Sequence, residues 1–557
     1  MNPAKRILGI LIPGCILFGV VTIALFQARA GYPDIVLLSN RAIVLIGLAA
    51  GGLFAIAIFS KSQKYAGIEH GSAHWGRPRD IRQLQDKDDR NTIILTATER
   101  VSMNQRKTNF ANHVLVVGAP GTGKSRNYVK PNILQMNGSY VVTDPSGELL
   151  ASTGGVLQAN GYQVKVFNIL DVSKSLHLNP FHYFTSIKAI GEYVDLLMEN
   201  TSGDTSNPKS KEDFWVKAER LWLSAHMNYL LEECTPEERT MPSLMMLLNA
   251  SEAREDDESY KSAVDVLFDD LERKNPSSFA VKQYKKYKMA AGKTAKSILI
   301  SVGVRLQHFD IPDFAELFSE DELELEKVGT EKTALFLIMD ETNTTYNYMV
   351  AILLSALFET NINLAKNLPG RRLPIRIRCI IDEAKNIGRF PHLDNLLATT
   401  RKYEIGFEPI YQDIKQIKSQ YKDDWETILA CCPIKLFLGG TGPETIKYVA
   451  EQMLGDTTVR ATTHGSNAKG ALGADGTSTS EQASARKLMD ATEVSMLPSD
   501  ECILKIQGYP PFRSKKYKLE KHPDYKLLAD EDGKPPFTFQ RAGTREVTLS
   551  TQNLIQI

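Results

Sequence analysis

Residues 112–125 read Asn-His-Val-Leu-Val-Val-Gly-Ala-Pro-Gly-Thr-Gly-Lys-Ser, an apolar run (His113–Val117) leading straight into G-x-x-x-x-G-K-S. A strand, a glycine loop and a helix start in that order are what a phosphate cradle needs. At ordinary residue frequencies the pattern arises by chance about 0.02 times in a chain this long. Gly118, Gly121 and Gly123 let the backbone curl until its N–H groups, Thr122's included, converge on phosphate oxygens. Lys124 would reach the β- and γ-phosphates of ATP, and the Ser125 hydroxyl would ligate Mg²⁺. The positive end of the helix that starts there adds to the attraction. A bare glycine turn is the competing reading, and the preceding strand argues against it.

A loop of this kind belongs to an α/β fold. Further short apolar runs alternate with helical patterns: Tyr140–Thr143, Tyr162–Phe167, Ala334–Met339, Arg378–Ile381 and Ile434–Leu438. Such alternation predicts a mostly parallel sheet with its ligands at the strand ends. Arg378–Ile381 runs into Asp382-Glu383. Asp382 would support the metal through water, and Glu383 would polarise an attacking water. Two more residues are candidates. Arg401 is either a solvated arginine or a group that stabilises phosphate charge in a neighbouring subunit. Gln412, after Phe407–Tyr411, is either a surface glutamine or a group that orients water. Glu408-Pro409 interrupts the apolar pattern just before it, and proline cannot donate to a ladder. Asp144 closes its own strand and suits a helix cap as well as a place at the catalytic edge.

Two uncharged runs, Ile7–Phe26 and Ala42–Ser60, precede all of this. At 1.5 Å per residue each spans a hydrocarbon core of about 30 Å. They predict a two-pass hairpin, with the rest of the chain on its starting side. A cleaved secretory leader is the competing reading. With 557 residues the chain holds several domains. Lys+Arg and Asp+Glu are both 66, which excludes attachment to nucleic acid by bulk charge but leaves a local basic lining open. The six cysteines have no C-x-x-C spacing and read as reduced thiols. Strand alternation stops between about Phe184 and Lys296, predicting an all-α insertion. Thr457–Ser484, rich in Gly, Ser, Thr and Ala, reads as a mobile loop. Glu501–Gln507 and Phe512–Tyr517 predict a terminal hairpin.

Several features in order resemble the type IV coupling proteins, the membrane-anchored RecA-like ATPases of conjugation and type IV secretion. They are the membrane hairpin, Gly71-Ser-Ala-His-Trp75-Gly76, the phosphate loop followed by Val129-Lys-Pro131-Asn132, and Thr143-Asp144-Pro145-Ser-Gly147-Glu148. Leu178-Asn179-Pro180-Phe181, Asp213-Phe214-Trp215 and Ile381-Asp382-Glu383-Ala384 follow, with Arg401 and Gln412 in register. The resemblance implies a RecA-like nucleotide-binding domain (66–183 and 297–517) around an all-α insertion (184–296), with an anchor at 1–65 and a tail at 518–557. It also implies a hexamer at the inner membrane of a bacterium with most of the chain cytoplasmic, and partners in relaxase-bound DNA and a type IV secretion channel. Arg401 becomes the trans finger and Gln412 the γ-phosphate sensor. The alternatives are a septal-type chromosomal DNA translocase, against which the 40-residue tail after Tyr517 speaks, and a non-hydrolysing docking receptor.

DNA contacts are less legible. Six lysines lie between Val281 and Ser297. On one continuous helix Lys282, Lys285, Lys286, Lys293 and Lys296 would share an arc of about 100° facing a pore. A solvated face balanced by the acidic stretch Glu252–Glu272 is the other reading.

Overall fold

The computed structural model describes residues 3–33, 38–60, 69–201, 212–253, 260–290, 292–466, 477–529 and 533–541. It divides into two units, Met1–Ser72 with Asp456–Arg486, and Ala73–Gly455 with Lys487–Ile557.

The larger unit is built on a nine-stranded sheet. A small antiparallel pair, β1 (Thr92–Ile94) and β2 (Arg100–Ser102), precedes it. The sheet strands are β3 (Val114–Gly118), β4 (Ser139–Asp144), β5 (Gln163–Asn168), β6 (Thr333–Ile338), β7 (Ile377–Ile381), β8 (Ile405–Tyr411) and β9 (Ile434–Gly439), then β12 (Glu501–Ile506) and β13 (Phe512–Lys515). Their order is β13-β12-β9-β3-β8-β7-β4-β6-β5. From β9 to β5 every pairing is parallel, while β12 runs antiparallel to both β9 and β13. The terminal hairpin is thus an antiparallel edge on a parallel sheet. Strands such as Val-Leu-Val-Val-Gly and Thr-Ala-Leu-Phe-Leu-Ile are buried along their whole length. That is the pattern of a sheet covered on both faces, where strict alternation disappears.

β8 corrects the expectation of a break at Glu408-Pro409. It runs unbroken to Tyr411. Phe407 N–H donates 3.0 Å to Nδ1 of His113. Backbone direction repeats every two residues, so the missing N–H of Pro409 falls on that same β3 side. There the β3 pairing begins only at Ile410. Glu408 faces the other way and finds a charge partner in Arg378, described below.

Between β5 and β6 no strand occurs among the described residues. The α-helices there are Pro180–Tyr183, Ile187–Thr201, Glu212–Glu233, Met241–Ala250, Ala263–Lys274, Phe279–Lys288, Gly292–Leu306 and Pro312–Leu317. Ser262 caps its helix in a reciprocal box with Asp265. The single lysine-bearing helix breaks into two, Phe279–Lys288 and Gly292–Leu306, so the 100° arc does not form. Lys285 pairs with Glu272 and Lys288 with Asp265, at 2.8 Å for the latter. Two residues of the acidic stretch, Asp265 and Glu272, thus pair with lysines of the first of these helices.

In the smaller unit the helices Pro3–Gly31 and Asn40–Ser60 contain the two apolar runs. They pack closely where a Cβ on Gly51 would lie 2.7 Å from the carbonyl of Gly14, the small-residue contact typical of helices in lipid. Segment 457–484 is not a bare loop. It contributes β10 (Asp456–Ser466) and β11 (Thr477–Lys487), which pair as a separate ribbon. Its threonines and serines suit an extended chain as readily as a loop, so composition misjudged it. The tip of that segment, 467–476, lies outside the described residues.

Candidate nucleotide site

β3 ends at Gly118, and the chain turns through Gly121 (φ +75°) and Gly123 (φ +83°). Glycine enters this left-handed region without strain. A Cβ on Gly118 would fall 2.5 Å from Thr122 Oγ1, which itself donates 2.7 Å to the carbonyl of Ala119. From Ser125 to Val129 the chain winds as a π-helical turn before the α-helix Lys130–Leu134. Such wide turns concentrate at functional sites.

β7 lies two places from β3 and delivers Asp382 and Glu383 to the same edge. Ser125 Oγ donates 3.3 Å to Asp382 Oδ2, and Lys124 Nζ stands 3.4 Å from Glu383 Oε1. Gln412, just past β8, donates from Nε2 to Glu383 Oε2 at 2.9 Å. Thr143 Oγ1 donates 2.7 Å to the carbonyl of Asp382. Glu383 itself has φ +51°, a conformation that costs a non-glycine residue about 1–2 kcal/mol. Asp382 is buried, and burial pushes its carboxyl up to about 6; the adjacent Glu383 adds to the rise and Lys124 opposes it.

Lys124, Ser125, Asp382 and Glu383 line a cleft of about 410 Å³, and Gln412 reaches it through its bond to Glu383. Ser125 and Asp382 together offer a hydroxyl and a carboxylate oxygen. That hard-oxygen donor set suits Mg²⁺, which keeps several of its waters. Asp144 faces the cleft, but both its oxygens cap the helix Glu148–Ala159, accepting from Leu149 and Leu150 N–H at 3.2 and 2.8 Å. Arg401 stands apart. Its side chain is exposed, Nη2 donates 3.3 Å to Asn109 Oδ1, and it is not among the residues lining the cleft of its own chain.

Two residues at this edge escaped the reading of the sequence. Lys516 Nζ donates 2.9 Å to the carbonyl of Thr122, pinning the phosphate loop from the far end of the chain. Glu341, which lines the cleft, lies three residues past β6. The rule that ligands gather at strand C-termini could have flagged Glu341. No local signal marks Lys516.

Sheet order and loop geometry define the class: a RecA-like P-loop α/β protein. The chain belongs to the type IV coupling protein family, whose description, Type IV secretory system Conjugative DNA transfer, matches residues 75–539. It is 22% identical over 407 residues to protein VirD4 of Rhizobium radiobacter, across 72% of this chain and 56% of that one. Against that VirD4 the chain therefore spans little more than half the relative's length. Conjugal transfer protein TraG of Escherichia coli is 22% identical over 549 residues, covering 89% and 84% of the two chains. Among solved structures, plasmid coupling protein TrwB in complex with the ATP analogue ADPNP superposes with a TM-score of 0.56 at 18% identity, covering 81% of this chain and 96% of that one. TrwB in complex with ADP and Mg²⁺ gives 0.57 at 17%, covering 82% and 95%. These likenesses establish a shared fold.

Proposed function

We propose that this protein is a membrane-anchored ATPase that assembles as a hexamer. It would use ATP hydrolysis to drive relaxase-bound DNA, or a protein substrate, toward a type IV secretion channel. The observation that carries the reading is the convergence of Lys124, Ser125, Asp382 and Glu383 on one cleft, with Gln412 bonded to Glu383. The nucleotide complexes of TrwB support ATP and Mg²⁺ as its occupants.

The phosphate-loop amides and Lys124 bind the β- and γ-phosphates. Ser125 and Asp382 would hold Mg²⁺, which when bound would supply neutralisation of charge on the phosphate oxygens. Glu383 orients the attacking water and takes its proton. Before nucleotide arrives, Lys124 and Gln412 hold the two oxygens of Glu383. Lys124 exchanges that partner for phosphate on binding, which frees Glu383 for water, and Gln412 reports the γ-phosphate through the same carboxylate. Arg401, remote from its own cleft, completes the site of the next subunit. Residues 1–65 anchor the ring in the inner membrane with two passes. Domain 66–183 with 297–517 works on the cytoplasmic side, carrying the insertion 184–296 and the tail 518–557. The helices Pro3–Gly31 and Asn40–Ser60 support that anchor. By contrast the apolar helix Thr344–Asn367 is two-thirds buried and belongs to the core.

The test is ATP turnover by the full chain in detergent, with and without single- and double-stranded DNA. Lys124→Ala should abolish turnover while leaving the fold intact. Undiminished hydrolysis in that variant overturns the assignment, and no turnover in a folded wild-type oligomer under any condition favours a docking receptor.

A further inference from the structure

At the end of the sheet opposite the phosphate loop, β9 begins and β12 ends. Lys435 and Lys505 face each other directly across this antiparallel pair. Residues in register on neighbouring strands point to the same face, and like charges placed so repel. On the next strand over, Lys435 is in register with buried Leu115, which offers no compensation. Among the described residues no carboxylate lies within ion-pair distance of either lysine. Each ammonium makes one main-chain contact: Lys435 donates 2.8 Å to the carbonyl of Cys432, and Lys505 donates 2.7 Å to that of Tyr509. Two donors on each remain. Burial holds both lysines below their ordinary range, and for Lys435 the proximity of Lys505 adds to the fall.

Both side chains open into a cavity of about 650 Å³ with Trp425, Tyr448 and Gln452 on its walls; Glu426 is the one acidic residue of the lining. That volume is in the range of small-molecule sites. Aromatic walls beside paired cations offer a flat base an apolar contact and its phosphate a neutralising one. A sheet retains two repelling, half-buried lysines at a cost in stability, and an anion that neutralises both at once removes it.

We infer that the Lys435–Lys505 cavity is a second nucleotide-phosphate site, separate from the ATP cleft, binding either a free nucleotide or one nucleotide unit of a single strand. The site stands whether or not the phosphate-loop cleft hydrolyses ATP.

Titration of the full chain in detergent tests this, without added ATP or ADPNP, which would compete for the proposed site; Lys124→Ala in parallel accounts for any probe held at the phosphate loop. Two probes separate the two sources: thymidine monophosphate and a fluorescent twenty-nucleotide thymidine strand. The expected result is that at least one probe binds and that the double variant K435Q/K505Q weakens it at least about tenfold, two charged contacts being lost. ATP turnover without nucleic acid should be unchanged in the variant. Binding of the monophosphate identifies a free-nucleotide site, and binding of the strand alone identifies a strand-tracking one. Photocrosslinking with bromodeoxyuridine in the strand gives an independent readout, expected at Trp425 or Tyr448. Neither probe binding to wild type, or wild-type affinity for both in a variant whose circular dichroism is unaltered, overturns the inference.

Discussion

Arg378 and Glu408 form a two-point ion pair at the centre of the sheet, Nε to Oε1 at 2.7 Å and Nη2 to Oε2 at 3.0 Å. Both side chains are within 1% of complete burial. Arg378 is on β7, which delivers Asp382 and Glu383, and Glu408 is on β8, which delivers Gln412. Tyr128, in the wide turn after the phosphate loop, donates 2.7 Å to Glu408 Oε2. Asn132 accepts from Arg378 Nη2 at 3.1 Å. One buried network thus ties together the three elements that present the nucleotide site.

Removing one partner of that pair strands the other. Glu408→Ala should cost about 3–5 kcal/mol, because the Arg378 guanidinium stays buried without its counter-charge. Chemical denaturation of the full chain in detergent measures it. A loss below about 1 kcal/mol would show that water or another group replaces the carboxylate.

A second prediction concerns acid. His113 is fully buried between β3 and β8, accepting from Phe407 N–H and contacting the carbonyl of Leu397 at 3.1 Å. Burial lowers its pKa from 6.5 to about 4. Between those values the unfolded chain takes up a proton that the folded chain refuses, so stability falls as pH drops through that window. The effect is about 3 kcal/mol at most. Denaturation midpoints at pH 7 and pH 5 should separate less in His113→Gln than in wild type. Equal separation in both proteins would remove His113 as a cause.

The third prediction concerns the placement of Arg401. Arg401→Ala and Glu383→Gln should each lower turnover by about 100-fold or more. When equal amounts of the two inactive proteins are mixed and allowed to exchange subunits, about a quarter of the interfaces pair an intact Glu383 with an intact Arg401 from its neighbour. Turnover should then reappear. A mixture that stays inactive despite demonstrated exchange would place Arg401 in cis, or outside the reaction.

Much of the architecture was legible because its signals are local. His113–Val117 is apolar because a strand covered on both faces must be, and the glycines after it are required by the backbone turn itself. Asp382-Glu383 could be read at the end of its strand for the same reason. Local pattern failed where two conformations suit one composition. The Thr- and Ser-rich segment around 457–487 forms a ribbon, and the lysines after Val281 divide between two helices. Proline 409 misled because its effect depends on which neighbour its nitrogen faces.

The sequence by itself determined that a phosphate loop exists, which strands accompany it and which carboxylates end them. Only the tertiary structure decided which groups meet. Gln412 reaches Glu383 because β8 and β7 are neighbours. Lys516 reaches Thr122 because β12 and β13 close one edge of the sheet. Lys435 faces Lys505 because β12 lies antiparallel in one particular register. Strand order and register follow from how crossover helices and both buried faces pack at once, a property of the whole chain that no short window contains.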